Sequence, residues 1–171
     1  GGFQMVGKFI DDSCNAETGE VIPGMGLLPV TTTFTLSKHR TRARGIICSQ
    51  SGMWEMLGEK KCAGYEIHMG ESTVNEGQAH AFAKIYNTVD GTEYMDGCVC
   101  GNVAGTYLHG IFDEKEFCDS FINMLGKRCG IATHGGSDMS FEEYKQREYD
   151  KLADAIRENM DMKYIYEIMG L

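Results

Sequence analysis

Gly105-Thr106-Tyr107-Leu108-His109-Gly110-Ile111-Phe112-Asp113 sets one histidine between a β-prone run (Val103, Thr106, Tyr107, Leu108) and an acidic segment, Asp113 to Glu116, that opens a helical pattern. A strand that ends in a histidine and turns into a helix holds the imidazole outside the carboxyl end of that strand, where open α/β sheets bind ligands and do chemistry. On this local pattern alone a structural histidine at a strand end is the simpler reading. The rest of the chain has to decide.

A chain of 171 residues, 42% of them hydrophobic, is long enough for one domain with a real core and too short for two ordinary ones. The formal net charge of -9 disfavours a nucleic-acid partner, since phosphate contacts need clustered Lys and Arg. No run approaches the length of a membrane span, and no signal-peptide pattern opens the chain, so a cytoplasmic protein with no membrane partner is expected. The seven cysteines are odd in number and scattered, which reads as reduced thiols. Cys98 and Cys100 share one strand face without a second pair to complete a zinc site, so no metal centre is expected.

Gly1 to Gly7 pairs two permissive residues with a short apolar run that fits the first turns of a helix. That is half of a nucleophile elbow, in which a Ser or Cys on a sharp strand-to-helix turn is followed by a backbone N–H aimed at an oxyanion. The nucleophile of such an elbow would stand immediately before Gly1. Because the chain starts without methionine, inside this motif, it reads as part of a longer protein.

Asp11 to Pro23 is polar and predicts a loop, continued as a turn to Gly26. Val30 to Leu36 alternates with period two and predicts a strand. Lys38, Arg40, Arg42 and Arg44 keep that spacing, either to grip an anion or, preferably, as a solvated edge strand protected by charge. In Gly64-Tyr65-Glu66-Ile67-His68-Met69-Gly70, Glu66 and His68 point the same way, toward solvent or toward a cleft. His80 to Tyr86 predicts another strand, with Asp90-Gly91 and Asp96-Gly97 as turns. Asp113 with Glu116, and Ser140 with Glu143, predict helix caps. Phe117, Phe121, Met124 and Leu125 form the face of the first of these helices, with Gly126 as its stop. The second carries a broad apolar stripe for a sheet, and a last helix from Asp161 would bury Tyr164, Ile165 and Ile168.

Three blocks, GGFQMVG at 1–7, GYEIHMG at 64–70 and GNVAGTYLHGIFD at 101–113, together resemble the glutamine amidotransferase domain of cobyric acid synthases. PGMGLLPV at 23–30 and the terminal YDKLADAIRENMDMKYIYEIMGL extend the likeness over nearly the whole chain. The resemblance implies a flavodoxin-like three-layer α/β fold of the class I type. It further implies that residues 1–171 form a single partial domain whose N-terminal strands lie outside this sequence. The chemistry implied is glutamine hydrolysis, supplying ammonia for ATP-dependent amidation of corrin-ring carboxylates in cobalamin biosynthesis.

By the same resemblance, His109 is the general base and acid, and the N–H of Gly1 lies at the oxyanion. Gln4, His68, Met69 and Gly70 lie along the pocket for glutamine. No cofactor is implied for these residues, while ATP and Mg belong to the absent synthetase domain, through which the corrin partner is reached. Two departures stand out. Ile111 occupies the position where many class I amidotransferases have a glutamate that orients the histidine, leaving Asp113 or a backbone carbonyl as candidates. None of the seven cysteines has the elbow context. The alternatives are a related amidotransferase, a cobyrinate a,c-diamide synthase or an isoglutaminyl synthase, and a non-catalytic domain that uses the fold for binding or assembly.

Overall fold

The computed structural model describes residues 1–48, 52–75, 77, 79–133 and 139–171. Two units divide the chain, Gly1–Gly135 and Gly136–Leu171.

In the first unit the spine is an 18-residue strand, Val30–Ile47. Counting in chain order, helix α1 is Gly2–Val6, and strands β1 (Phe9–Asp11) and β2 (Val21–Pro23) precede this spine, β3. They are followed by β4 (Lys61–Val74), β5 (Ala83–Asn87), β6 (Glu93–Asp96), β7 (Cys98–Cys100) and β8 (Val103–Gly105). The main sheet has the order β2-β1-β3-β5-β6, and β4 pairs with the other edge of β3. Among the described residues only β1 and β3 run parallel, which makes the sheet mixed. β7 and β8 form a separate hairpin.

Alternation along β3 determines where the core sits. Lys38, Arg40, Arg42 and Arg44 are exposed, whereas Thr41, Ala43 and Ile47 are buried. The basic row is therefore solvated as expected, but the strand carrying it is not an edge, because β4 pairs along it from Lys38 to Ile46. Inner-face residues Ala43, Ile47, Cys62, Ala83 and Ile85 join Trp54, Leu57, Phe82, Leu108, Ile111, Phe117 and Met124 in the principal core. Trp54 lies in a 3₁₀ helix, Gly52–Leu57, and its indole N–H donates to the Gly101 carbonyl at 2.8 Å. Full burial of a side chain such as Phe117 contributes about 2 kcal/mol or more.

Several boundaries differ from the expectations above. The predicted 11–23 loop has a strand residue at its start and β2 at its end, tied by Asp12, whose buried carboxylate accepts the N–H groups of Ala16, Glu17, Thr18 and Gly19. β4 runs past Gly70 to Val74, with a register shift between Thr33 and Lys38 of β3. His80 makes only an isolated bridge to Val99, and the strand itself begins at Ala83. Helix α2, Lys115–Cys129, is capped by Glu114 without a side-chain bond, in place of the predicted Asp113 cap. It also runs through Gly126 to a left-handed Gly130, with Lys127 and Arg128 in the last turn where cations suit the helix dipole. A side chain at Gly126 would collide with Thr133, so this glycine serves packing and not termination.

In the second unit α3, Phe141–Asn159, starts with the predicted capping box of Ser140 and Glu143. Asp161 caps α4, Met162–Met169, accepting the Tyr164 N–H. The apolar residues expected to be covered are open: Leu152, Met160, Tyr164 and Ile168 are all more than half exposed. Helical periodicity reports an amphipathic face but not what covers it. From the sequence, Lys127–Met139 reads as a glycine-containing loop and Ser49–Lys61 as a segment that holds Trp54 between turn residues; residues 134–138 of the first and 49–51 of the second lie outside the described residues.

Candidate active site

His109 is reached by an irregular segment, since β8 stops at Gly105. Asp96, buried at the end of β6, accepts the Thr106 hydroxyl and the Tyr107 N–H, and the Thr106 oxygen in turn accepts the Leu108 N–H at 2.9 Å. Burial pushes the Asp96 carboxyl above its ordinary range, against the pull of the Thr106 hydroxyl and with a further push from Glu66. Next the chain meets β4: the His109 N–H donates to the Tyr65 carbonyl at 2.8 Å, and the Tyr65 N–H donates to the His109 carbonyl at 3.1 Å. This approach requires Gly64, because a Cβ there would lie 2.0 Å from the His109 carbonyl oxygen.

The His109 imidazole is exposed and stacks on Tyr65, with ring centroids 5.1 Å apart and planes 12° from parallel. Ile111, in the place of an orienting glutamate, is buried in the principal core. Tyr65 supplies the ring contact.

Gln4 ties the three sequence blocks together. Its amide nitrogen donates to the Met69 carbonyl at 2.9 Å and to the Tyr107 hydroxyl at 3.3 Å. Phe3 packs edge-on to Tyr107, with centroids 4.9 Å apart. The N-terminal helix, GYEIHMG and TYLHG therefore meet at Tyr107, two residues from His109. Gly1 and Gln4 also line a cavity of about 200 Å³ with Met5, Ile10, Asp12 and Phe34.

The opposite face of β4 is different. Tyr65 points out beside His109, so the pleat turns Glu66 and His68 inward. There they line a cavity of about 580 Å³ with His39, Tyr94 and Tyr107. His68 stacks on Tyr107 at 3.8 Å, and the Tyr94 hydroxyl donates to Glu66 at 2.8 Å. Burial raises the Glu66 carboxyl, but the neighbouring His68, Tyr94 and His39 outweigh it and hold the group below its ordinary value. Of the two orientations open for Glu66 and His68, the structure has the cleft.

The site residues expected from sequence thus fall into two groups. Gln4, Met69 and His109 are linked through Tyr107 and β4, and Gly1 shares the smaller cavity with Gln4, whereas the His68 side chain faces the inner cavity and His109 lines neither cavity. Sequence reasoning missed Tyr65, Asp96, Tyr94 and His39. Tyr65 read as one of the alternating apolar residues of its strand and Asp96 as a turn residue, while no local pattern singled out Tyr94 or His39. Burial pushes the Cys62 thiol up to about 12 and raises Cys48 and Cys98, so none of these three is an activated nucleophile. All seven thiols are free.

The mixed sheet and its helices are consistent with the class I glutamine amidotransferase fold. Residues 1–117 match the CobB/CobQ-like glutamine amidotransferase domain, and the chain belongs to that family. Over 99% of its length it is 41% identical to a cobyric acid synthase of Lachnoclostridium phytofermentans and 38% identical to one of Ruminiclostridium cellulolyticum. Over its whole length it is 41% identical to a cobyric acid synthase of Clostridium acetobutylicum. These matches take in 34%, 33% and 33% of the relatives, so the chain spans about a third of their length. Among the described residues no helix is long and apolar enough to cross a membrane.

Proposed function

We propose that the chain is the glutaminase part of a cobyric acid synthase, releasing ammonia from glutamine for ATP-dependent amidation of corrin carboxylates. The observation that carries this reading is the convergence through Gln4, which joins the helix start, the GYEIHMG strand and the segment bearing His109. ATP and Mg serve the synthetase portion, and the reaction takes place in the cytoplasm.

In this reading a cysteine thiolate attacks the side-chain amide carbon of glutamine. His109 takes the thiol proton and returns it to the departing ammonia, leaving a thioester; it then takes a proton from water as the thioester is hydrolysed to glutamate. The Gly1 N–H is one donor to the tetrahedral oxyanion, a contact of about 3 kcal/mol in comparable sites. The cavity at Gly1 and Gln4 receives the glutamine side chain, with Gln4 shaping its wall and holding Met69 and Gly70 in place. His109 suits the double role because an imidazole can both accept and donate a proton and this one is open to solvent.

Ammonia release from glutamine by the intact protein that carries this chain is the test. His109→Ala should lower kcat by at least about 1000-fold without unfolding the protein, and the 171-residue chain alone should release no ammonia. Glutaminase activity that survives His109→Ala overturns the assignment and favours a binding or assembly role for the fold.

A further inference from the structure

On the inner face of β4, away from His109, we propose that His39, Glu66 and His68 bind a divalent late first-row transition ion of the zinc class. The β3–β4 register sets His39 directly opposite His68, and Glu66 precedes His68 by two residues on the same strand and face. Cross-strand neighbours of this kind have Cβ atoms about 5 Å apart, close enough for two imidazoles to share one ion. The Glu66 Oε2 atom lies 3.2 Å from His39 Nε2 and 3.7 Å from His68 Nε2. One ligand atom from each of the three residues fits within a mutual separation of 4.8 Å. A tetrahedral zinc site with bonds of about 2.0–2.1 Å has ligand–ligand edges of about 3.3 Å, so small side-chain rotations complete the set.

Hydrogen bonding favours an ion at this point. His68 Nδ1 is 3.1 Å from the Gly70 carbonyl, which only an N–H can face favourably. In the neutral ring, Nε2 then presents a lone pair to the Glu66 carboxylate. Two electron-rich groups turned toward one another are held by a proton or a metal cation between them, and three ligand atoms converging on one point suit the metal. A backbone carbonyl behind a histidine ligand is also the usual outer support of a metal site, and Tyr94 supports Glu66 in the same way. Furthermore, His39 Nε2 and Glu66 Oε1 are buried without a hydrogen-bond partner among the described residues. Such groups are costly unless a ligand satisfies them.

Two imidazoles and one carboxylate prefer zinc-class ions to Mg²⁺ or Ca²⁺, which take oxygen-rich sets. The cavity of about 580 Å³ leaves a fourth coordination position open. His39, with 40% of its side chain exposed, marks the way in.

The decisive measurement is calorimetric titration of the chelator-stripped intact protein with Zn²⁺, alongside Co²⁺ absorption spectra. One ion should bind per chain with micromolar or tighter affinity. His39→Ala and His68→Ala should each weaken it by about 100-fold, and Tyr94→Phe by about 10-fold. His39→Ala is the safer variant for folding, and Zn²⁺ should raise the Tm of the parent protein but not of this variant. Cobalt should give the d–d bands of nitrogen and oxygen ligands without a thiolate charge-transfer band. No saturable Zn²⁺ binding, unchanged affinity in His39→Ala, a thiolate band, or tighter binding of Mg²⁺ would each overturn the site. None of these readouts depends on glutamine hydrolysis, so the glutaminase reading stands or falls separately.

Discussion

Adjacent residues of β4 serve two unlike environments. Tyr65, 48% exposed, faces outward and stacks on the His109 ring, while Glu66, 1% exposed, faces inward among two histidines and a tyrosine. The outer face is held by backbone geometry: a reciprocal pair of hydrogen bonds, a glycine that lets the chains touch, and a stacked ring. The inner face is held by charge around a buried carboxylate, which depends on its partners. Hence a ring that must meet substrate stays exposed, whereas a buried carboxylate must be compensated nearby.

The outer arrangement is broken most directly at Gly64. A methyl group 2.0 Å from the His109 carbonyl oxygen has to push the two chains apart, with loss of both Tyr65–His109 hydrogen bonds. Gly64→Ala should destabilise the protein by about 3 kcal/mol in denaturant unfolding. It should also cut glutamine hydrolysis by about 100-fold, as expected when a reacting group moves by about 1 Å. Unchanged activity in a folded Gly64→Ala protein would show that the position of His109 does not depend on this contact.

The independence of the two faces is sharpened by Tyr65. Losing a stacking partner worth about 1 kcal/mol should lower kcat by about 10-fold in Tyr65→Ala with KM little changed, and Tyr65→Phe should restore it. Because the side chain points away from Glu66, Zn²⁺ affinity should not move. Should Tyr65→Ala weaken zinc binding as well, the faces are coupled and the comparison fails.

Much of the outer site was legible because it lies in contiguous motifs. GTYLHGIFD and GYEIHMG state their own local patterns, and strict alternation already put Glu66 and His68 on one face. Which face was inside was not legible, since Tyr65, Ile67 and Met69 are the more apolar set and yet Tyr65 is exposed. Burial of Glu66 follows from partners on other strands, and no local pattern reports them. His39 was hidden for the same reason, as its pairing with His68 is a matter of register between β3 and β4. The helices were legible from period and capping, as Ser140 with Glu143 shows, whereas the true end of α2 depended on Thr133 packing against Gly126. For α4 the apolar face was legible and its exposure was not.

Asp96 connects the inside of the sheet to the outer face, and its titration gives the smallest expected effect. Burial raises its folded-state pKa above the ordinary value near 4, so between the two values the folded protein binds more protons than the unfolded chain. Stability contributed by Asp96 is therefore full below the unfolded pKa and falls as pH rises through the raised one. Asp12 has the opposite sign. Its four backbone N–H donors, Gly19 foremost, lower its pKa, so its contribution is present above the unfolded value and is lost on acidification through the depressed one. Tm measured from pH 3 to pH 8 should thus climb on leaving acid and then decline gently. Asp96→Asn should remove the decline and keep the climb, while Asp12→Asn should do the reverse. Because Asp96 reaches the His109 segment through Thr106 and Tyr107, its titration should reach His109 as a small change in kcat across the same window, without a matching change when Asp12 titrates. A kcat profile that ignores Asp96→Asn would mean that the His109 segment is held by its backbone pairing with Tyr65 alone.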